Sequence, residues 1–346
     1  MTSPVGSPFA TRLGFGASGL GTLYRNVSDG EAQRTLEVAY AAGMRYFDTA
    51  PLYGHGLSEL RLGRFLRGVD RDGLTVSTKV GRYMVPPRGE IVDYGLWAEP
   101  LRLKPIFDYS YDGTMRSLEQ SVNRLGFERI DVVYIHDVDR FTHGDNYARM
   151  FDAAMAGSYR ALDELRRNGH VAAIGVGVNE GDVATAFLEA GRFDVVMMAG
   201  RYTLLDQSAL ADLMPTAERQ GVRVVAAGVF NSGILAKATD RTQALTFDYR
   251  AAPADLVARV RRMVEICDAF GVPFQAAAIQ FPFGHPAVTC AVLGMSRPER
   301  IAENLGWAEI TIPDALWAAL KAGGLLHAEA PVPATGGLAW QALQPS

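Results

Sequence analysis

Four residues of this sequence have side chains suited to acid–base chemistry and stand at or just beyond the ends of apolar segments: Asp48, Tyr53, Lys79 and His136. A phenol can give or take a proton if a neighbouring ammonium group lowers its pKa from about 10. Asp48 would hold Lys79 in place, and His136 would orient a substrate oxygen by hydrogen bonding. The set therefore predicts proton transfer at a substrate oxygen.

Each of these residues also has an ordinary structural interpretation. A single Asp at a strand end often serves a loop or a cap, a single Lys is usually solvated, and a single His usually has a structural partner. Tyr53, next to Gly54, could simply pack. Polar groups left unpaired in a buried site would cost stability, so the four must either pair or do chemistry if one fold brings them together.

Predicted strands and helices alternate along the chain. Ser28-Asp29-Gly30-Glu31 is a capping-box pattern that begins a first helix, and Gly43 ends it. The predicted strands lie near residues 18–22, 44–48, 74–79, 130–136, 171–178, 195–199, 222–226 and 288–294. The predicted helices lie near 32–42, 58–66, 115–125, 158–168, 181–190, 207–220 and 254–270, with others after Pro273 and after Gly294. Strict alternation implies parallel strands joined by helical crossovers. Eight such units predict a single (β/α)8 barrel domain over residues 1–346, with an open doubly wound sheet as the alternative.

The C-terminal ends of barrel strands face the active-site mouth, which is where Asp48, Lys79 and His136 would lie. Residues 80–111 form a long segment rich in Pro, Gly and aromatic residues, and a segment of this kind predicts a functional loop. The candidates for substrate contact are Tyr53, Tyr83, Trp97, Tyr109 and His136. The tail from about 328 to 346 contains Pro and Gly, and we expect it to be extended and to fold over the mouth.

The composition favours a small-molecule substrate. The chain has 346 residues, of which 48% are hydrophobic and 21% charged, and its net charge of −4 argues against nucleic acid or anionic membrane as the main partner. The two cysteines, Cys267 and Cys290, lack a metal-ligand spacing and fit a reducing compartment. We therefore expect no metal. Because no signal segment or membrane span is visible, we expect a cytoplasmic protein. A homo-oligomer is left open.

A formal dinucleotide fingerprint occurs at Gly14-Phe15-Gly16-Ala17-Ser18-Gly19. Such a fingerprint requires a buried strand before it and a helix that begins at its third glycine. Ser, Pro, Thr and Gly precede it here, and the residues after Gly19 do not begin a helix. The sequence therefore argues against a Rossmann domain.

The stretch from Gly43 to Gly54 reads GMRYFDTAPLYG and is followed by Ser58-Glu59 and Leu62-Gly63. It resembles the signature of the aldo-keto reductase superfamily, although His55-Gly56-Leu57 lengthens the usual link. The resemblance covers about residues 12–310. It implies a (β/α)8 barrel, a nicotinamide cofactor bound without a Rossmann domain, and a catalytic tetrad of Asp48, Tyr53, Lys79 and His136 that couples hydride transfer to proton transfer.

The same resemblance implies where NAD or NADP would bind. Gly294-Met295-Ser296 leads into a helix whose N-terminus suits a phosphate, and Glu303 with Asn304 would hold the adenine side. Arg297 and Arg300 could pair with a 2′-phosphate, although solvated helix charges are an equal alternative and we expect use of both cofactors. Asn179 matches the residue that contacts the nicotinamide amide. The complete set is Gly21, Thr22, Asp48, Asn179, Phe230, Gly294, Ser296, Arg297, Arg300, Glu303 and Asn304.

Three further segments are similar to the branch of L-fucose (D-threo-aldose) 1-dehydrogenases and pyridoxal 4-dehydrogenase. They are 107–112, 199–205 and 228–233. The expected activity is oxidation of an aldose of the L-fucose, D-arabinose or L-galactose type at C1 to its lactone. The alternatives are oxidation of pyridoxal, general aldehyde or ketone reduction, a nucleotide-sensing regulatory barrel and a glycosidase that uses Asp48 with another carboxylate.

Overall fold

The computed structural model of the protein describes residues 9–240 and 242–340, and eight parallel strands in these residues close into a barrel. The strands in chain order are β1 (Leu13–Gly16), β2 (Tyr46–Asp48), β3 (Thr75–Val80), β4 (Arg82–Val85), β5 (Lys104–Phe107), β6 (Ile130–His136), β7 (Val171–Val178), β8 (Val195–Ala199), β9 (Arg223–Ala227), β10 (Thr246–Phe247), β11 (Arg250–Ala251) and β12 (Val288–Gly294). The barrel order is β1-β12-β9-β8-β7-β6-β3-β2, whereas β4–β5 and β10–β11 are hairpins. The predicted barrel is confirmed, and the open sheet is wrong.

Helices surround the barrel in the crossover positions. They are α1 (Asp29–Ala41), α2 (Leu57–Leu66), α3 (Tyr111–Leu125), α4 (Arg140–His143), α5 (Tyr147–Ala153), α6 (Arg160–Arg167), α7 (Gly181–Ala190), α8 (Leu213–Gln220), α9 (Ile234–Lys237), α10 (Ala254–Ala269), α11 (Phe274–Gln280), α12 (Pro298–Glu309) and α13 (Asp314–Ala322). One half of the predicted capping box is present, because the Ser28 side chain accepts a hydrogen bond from the backbone N–H of Glu31, whereas the Glu31 carboxylate accepts from Arg25. No helix within the described residues is both long and apolar enough to span a bilayer.

The core has an outer layer between strands and helices and a smaller cluster inside the barrel. The inner cluster includes Phe9, Tyr46 and Tyr134, which are almost fully buried. Phe9 packs on the Tyr46 ring with a centroid distance of 4.8 Å. Because these rings fill the interior below the strand ends, the barrel is a packed scaffold and not a pore.

The first strand lies earlier than the sequence predicts. The strand is β1 (Leu13–Gly16), whereas Ala17–Gly21, which overlaps the expected 18–22 segment, forms a 3-10 helix. A Cβ atom on Gly14 would lie 2.5 Å from Tyr46 Cδ1. The glycines of the formal dinucleotide fingerprint therefore include a packing position inside the barrel, which explains the motif without a Rossmann fold.

The long loop contains regular structure that the sequence did not reveal. The β4–β5 hairpin follows β3 directly, after a turn at Gly81 with φ of +104°. A Cβ atom on Gly81 would lie 2.3 Å from the Tyr109 ring, so only glycine fits there.

Three elements outside this loop were also not predicted: the π-helical turn Ala154–Tyr159, the helix α13 and the β10–β11 hairpin.

The C-terminal tail closes the end of the barrel opposite the mouth. The backbone N–H of Arg12, just before β1, donates to the carbonyl of Trp340, and Leu338 N–H donates to Ala308 O. Leu338 and Trp340 are buried. The expectation that the tail folds over the mouth is therefore wrong for residues up to 340, because these apolar side chains find their partners at the start of the strands. Residues 341–346 lie outside the described part of the chain.

Candidate active site

A buried ion pair joins the ends of two adjacent strands. Lys79 Nζ at the end of β3 donates to Asp48 Oδ2 at 2.7 Å, to Asp48 Oδ1 at 2.9 Å and to the carbonyl of Thr49 at 2.9 Å. Both side chains are nearly inaccessible. Burial raises the pKa of Asp48, while Lys79 and Ser77 pull it in the opposite direction. The three donors of the ammonium group are thus all engaged.

Hydrogen bonds extend this pair into the barrel interior. Ser77 Oγ donates to Asp48 Oδ1 at 2.6 Å and lies 3.0 Å from the hydroxyl of Tyr46. That hydroxyl is in turn 3.2 Å from the hydroxyl of Tyr134. A carboxylate that accepts several hydrogen bonds is fixed in orientation, so this chain positions Asp48 from below.

Other residues of the signature around Asp48 have structural roles. Ser58 Oγ donates to the carbonyl of Ala17 and lies 2.8 Å from Thr49 Oγ1. Glu59 is fully buried, and its two carboxylate oxygens accept from Thr78 Oγ1 and Arg124 Nε, both at 2.7 Å. These bonds hold α2 against β2 and β3, which fixes the loop that carries Tyr53.

Tyr53 lies beside the ion pair because two glycines allow a close backbone crossing. A Cβ atom on Gly21 would lie 2.5 Å from Tyr53 C, and one on Gly54 would lie 2.5 Å from Gly21 O. Lys79 Nζ is 4.7 Å from the centroid of the Tyr53 ring. Burial raises the pKa of Tyr53 well above its usual value, the charges of Asp48 and Asp137 raise it further, and Arg82 opposes them. This direction is opposite to the expected lowering, so the phenol is protonated at neutral pH.

His136, at the end of β6, completes the candidate tetrad. Its ring centroid is 6.2 Å from that of Tyr53, in an edge-to-face arrangement. Burial lowers the pKa of His136 well below its usual value, and the charges of Arg82 and Lys79 act in the same direction. The imidazole is therefore neutral at neutral pH. The structure brings the four predicted residues together at the mouth.

Two charged residues next to the tetrad were missed by the sequence analysis. Arg82 donates to His136 Nδ1 at 3.0 Å and to Asp137 Oδ2 at 2.7 Å, and it is only 5% exposed. Asp137 Oδ1 lies 3.4 Å from His136 Nε2. Their only signal in the sequence is proximity to the tetrad, since Arg82 follows Lys79 by three positions and Asp137 follows His136 directly, and this proximity does not show their contacts.

The predicted substrate residues separate into three locations. Trp97 lies over the mouth, with its ring centroid 5.9 Å from that of Tyr53. Tyr109 is buried and its hydroxyl donates to the carbonyl of His136 at 2.8 Å, so its place is beneath the catalytic strand and not in the open site. Tyr83 stacks against Arg116 at 4.8 Å on the side of α3. Of these three, Trp97 has its ring beside the side chain of a tetrad residue, Tyr53, whereas Tyr109 contacts His136 only at the backbone.

The insertion after Tyr53 anchors the long loop. Gly54, His55 and Gly56 all have positive φ, and His55 Nδ1 lies 2.7 Å from the carbonyl of Leu103. The His55 ring also packs on Tyr94 at 5.1 Å. Thr22 Oγ1 accepts from the N–H of Glu99 at 3.1 Å. The lengthened link therefore ties loop and tetrad together.

One part of the predicted cofactor region lies between β1 and β12. A Cβ atom on Gly19 would lie 2.7 Å from Ser296 Cβ, and Arg25 donates to the carbonyl of Ser296 at 2.7 Å. Gly294 is exposed at the end of β12. Arg297 is the N-cap residue of α12, whose N-terminus carries the positive end of the helix dipole. This combination fits a phosphate group.

The rest of α12 fits the expectation less well. Arg300 pairs with Glu303 at 2.7 Å on the helix surface. Asn304 is 3% exposed, so the protein covers its side chain. The structure therefore leaves Arg297 as the better candidate for a phosphate contact and removes Asn304 from the open surface.

Asn179 and Phe230 follow strands β7 and β9 at the mouth. Asn179 Nδ2 donates to Asp139 Oδ2 at 2.9 Å, and the carbonyl of Asn179 accepts from Arg201 Nε at 3.0 Å. Because its amide donor is committed, Asn179 Oδ1 is the atom that suits a carboxamide NH₂. Phe230 is half-buried in a turn, where its carbonyl accepts from Gly233 N–H. These residues and the phosphate site form a donor set that fits a nicotinamide dinucleotide.

Residues 12–323 match the model of the Aldo/keto reductase family. The chain belongs to this family. It is accordingly an oxidoreductase that depends on a nicotinamide cofactor. The structure of a glycerol dehydrogenase from Gluconobacter oxydans superimposes with a TM-score of 0.69, covering 94% of each chain at 23% identity. That likeness shows the shared barrel fold.

Two relatives of this aldo/keto reductase are similar over most of their length. A pyridoxal 4-dehydrogenase of Microbacterium luteolum is 43% identical over 328 residues, which cover 91% of this chain and 94% of that protein. A D-threo-aldose 1-dehydrogenase of a Pseudomonas species is 40% identical over 319 residues, with coverage of 91% and 94%. Both carry dehydrogenase names, in agreement with the branch that the sequence resembles.

Proposed function

We propose that the protein oxidises an aldose, of the L-fucose, D-arabinose or L-galactose type, at C1 to its lactone. The observation that carries the proposal is the buried Lys79–Asp48 pair beside Tyr53, with His136 at the edge of the same ring. The similarity to a D-threo-aldose 1-dehydrogenase favours an aldose. The aromatic face of Trp97 beside Tyr53 suits the C–H side of a sugar ring.

When bound, an oxidised nicotinamide would supply the acceptor for the hydride that leaves C1. Tyr53, after losing its own proton, would accept the proton of the anomeric hydroxyl as the C1–H bond breaks with both electrons leaving as hydride to the oxidised nicotinamide, and the C1–O bond would become the lactone carbonyl. Neutral His136 donates a hydrogen bond to that oxygen through Nε2. The ammonium group of Lys79, held by Asp48, stabilises the negative charge on the Tyr53 oxygen when the phenol is deprotonated.

The cofactor would lie across the mouth from Asn179 to α12. Asn179 Oδ1 would accept from the carboxamide, Gly21 and Thr22 would border the cofactor next to Tyr53, and Phe230 would contact the nicotinamide end. Gly294, Ser296 and Arg297 would hold a phosphate group of the cofactor. We expect both NAD and NADP to serve, since Arg297 faces the negative charge of Glu31.

Pyridoxal is the second candidate substrate, because the pyridoxal 4-dehydrogenase relative is 43% identical to this chain and the aldose enzyme 40%. A regulatory barrel or a glycosidase is disfavoured by the complete Tyr53–Lys79–Asp48–His136 arrangement. A glycosidase needs no ammonium group beside a phenol.

The test measures the formation of reduced cofactor by the purified protein with NAD⁺ and NADP⁺ separately. The substrates are L-fucose, D-arabinose, L-galactose and pyridoxal, and Tyr53→Phe serves as the inactive control. We expect turnover of at least one aldose with a kcat/KM above that for pyridoxal. Turnover of pyridoxal alone would replace the aldose proposal by the second candidate, and no turnover of any of the four would refute both.

A further inference from the structure

Arg82 organises two neighbouring polar groups at the reacting end of the site. One guanidinium nitrogen is 3.0 Å from His136 Nδ1 and the other donates to Asp137 Oδ2 at 2.7 Å. The guanidinium lies 4.3 Å over the Phe107 ring, and the carbonyl of Arg82 accepts from Ser117 at 2.6 Å. Arg82 is 5% exposed, so its position is fixed by packing as well as by bonds.

These contacts determine which atoms are offered to a substrate. A guanidinium can only donate, so His136 Nδ1 accepts and the imidazole proton is on Nε2. Oδ2 of Asp137 accepts from Arg82 at 2.7 Å, whereas Oδ1 has only a long contact with Asn179 Nδ2 at 3.5 Å and keeps the capacity to accept a further hydrogen bond. This oxygen lies 3.4 Å from His136 Nε2. A donor and an acceptor thus stand side by side.

The backbone of Asp137 holds the acceptor in this place. Its φ is +53°, which is uncommon for a residue with a side chain, and its N–H donates to the carbonyl of Gly177 at 2.9 Å. The carboxylate is 16% exposed, so it is partly open to the mouth. Its charge is near enough to Tyr53 to affect that phenol.

We infer that Asp137 accepts a hydrogen bond from a hydroxyl on the carbon next to the reacting carbon, while His136 donates to the reacting oxygen. The inference rests on the proposed function and narrows its substrate class. A donor and an acceptor this close match two oxygens on adjacent carbons. The site therefore selects 2-hydroxy aldehydes and their cyclic hemiacetals over compounds without that hydroxyl, and Arg82 is the positioning residue for both contacts.

The experiment compares substrates that differ at one hydroxyl. D-Arabinose and 2-deoxy-D-ribose differ only at C2, and lactaldehyde and propionaldehyde form a second pair in the reductive direction. Two variants suit the backbone, because both Asn and Gly accept positive φ: Asp137→Asn and Asp137→Gly. In the wild type we expect kcat/KM to be at least about tenfold higher for the hydroxylated member of each pair, as for a hydrogen bond to a charged group.

In both variants we expect this preference to fall to about threefold or less, with the loss confined to the hydroxylated substrate. Glu180→Gln is the matched control, because Glu180 also follows a barrel strand and pairs with an arginine, Arg140 at 3.5 Å, without contacting the tetrad. It should keep the wild-type preference. An unchanged preference in both Asp137 variants, or its absence in the wild type, would overturn the inference and leave the oxidoreductase proposal intact. Failure of every substrate to turn over would overturn both.

Discussion

Lys79 contacts Tyr53 through the face of the ring, with Nζ 4.7 Å from the centroid, while its hydrogens go to Asp48 and the carbonyl of Thr49. Its influence on the phenol is therefore electrostatic and acts at short range in a buried place. A cation near an aromatic face is stabilised by the ring quadrupole. Lys79 and Asp48 thus form one unit, and changing either residue alone should lower both stability and activity.

This unit predicts that Lys79→Met is both inactive and unstable. We expect kcat to fall at least about a hundredfold, and the free energy of unfolding to fall by about 3–5 kcal/mol, because Asp48 is left as a buried unpaired charge. Denaturant unfolding should show that Asp48→Asn combined with Lys79→Met recovers part of the stability but none of the activity. A double variant as unstable as Lys79→Met would contradict the pairing argument.

The raised pKa of Tyr53 predicts that kcat/KM depends on pH differently in the two reaction directions. The phenol must lose its proton to act as a base, so kcat/KM for aldose oxidation should increase as the pH rises from neutral towards alkaline. Aldehyde reduction uses the protonated phenol and should not increase. Steady-state rates measured across pH in both directions test this prediction. The Tyr53→Phe variant should lose at least about 99% of kcat while retaining cofactor binding. Parallel pH profiles in both directions would assign the proton to another group.

Trp97 and Tyr109 should behave differently although both were predicted to contact substrate. Trp97→Ala should change the ratios of kcat/KM among aldoses and aldehydes, because its ring lies 5.9 Å from that of Tyr53. Tyr109→Phe should lower kcat for all substrates alike, since it removes a hydroxyl that supports the carbonyl of His136. Kinetics with four or more substrates separate the two patterns. A selective effect of Tyr109→Phe would return this residue to the substrate site.

Buried neutral histidines predict a loss of stability in mild acid. Burial lowers the pKa of His136, His55 and His285 below the usual value of about 6.5. Below that pH the unfolded chain binds protons that the folded chain does not, so the free energy of unfolding falls as the pH decreases. Denaturant unfolding at several pH values should show this slope, and His136→Gln should make it shallower. A slope unaffected by His136→Gln would mean that other groups dominate.

The two arginines of α12 should contribute unequally to cofactor choice. Arg297→Ala should lower kcat/KM for NADP⁺ at least about tenfold, or about 1.4 kcal/mol, and leave NAD⁺ nearly unchanged. Arg300→Ala is the matched control, because Arg300 already pairs with Glu303 at 2.7 Å. We expect it to have little effect on either cofactor. An equal loss for both cofactors in Arg297→Ala would place this side chain on the shared diphosphate.

The sequence predicted the barrel and the placement of the tetrad because both depend on local patterns. Alternation fixes the number of strands, and a polar residue that ends an apolar run marks the mouth. Arg82 and Asp137 escaped because their significance depends on the turn at Gly81 and on the positive φ of Asp137, which no periodicity reveals. The tail was misplaced for a similar reason, since the partners of Leu338 and Trp340 are distant in sequence.

The hydrogen bond from Arg12 N–H to the Trp340 carbonyl, at 3.0 Å, brings residues from near the two ends of the chain together at the base of the barrel. Arg12 and Trp340 therefore both lie on the face of the barrel opposite Tyr53 and Trp97. A support or a fused domain attached at either of these two positions would leave substrates free to approach the mouth from the opposite direction. The same proximity would allow a short linker to join Arg12 to Trp340, so the stretch between these two residues suits circular permutation with new ends opened in a surface loop.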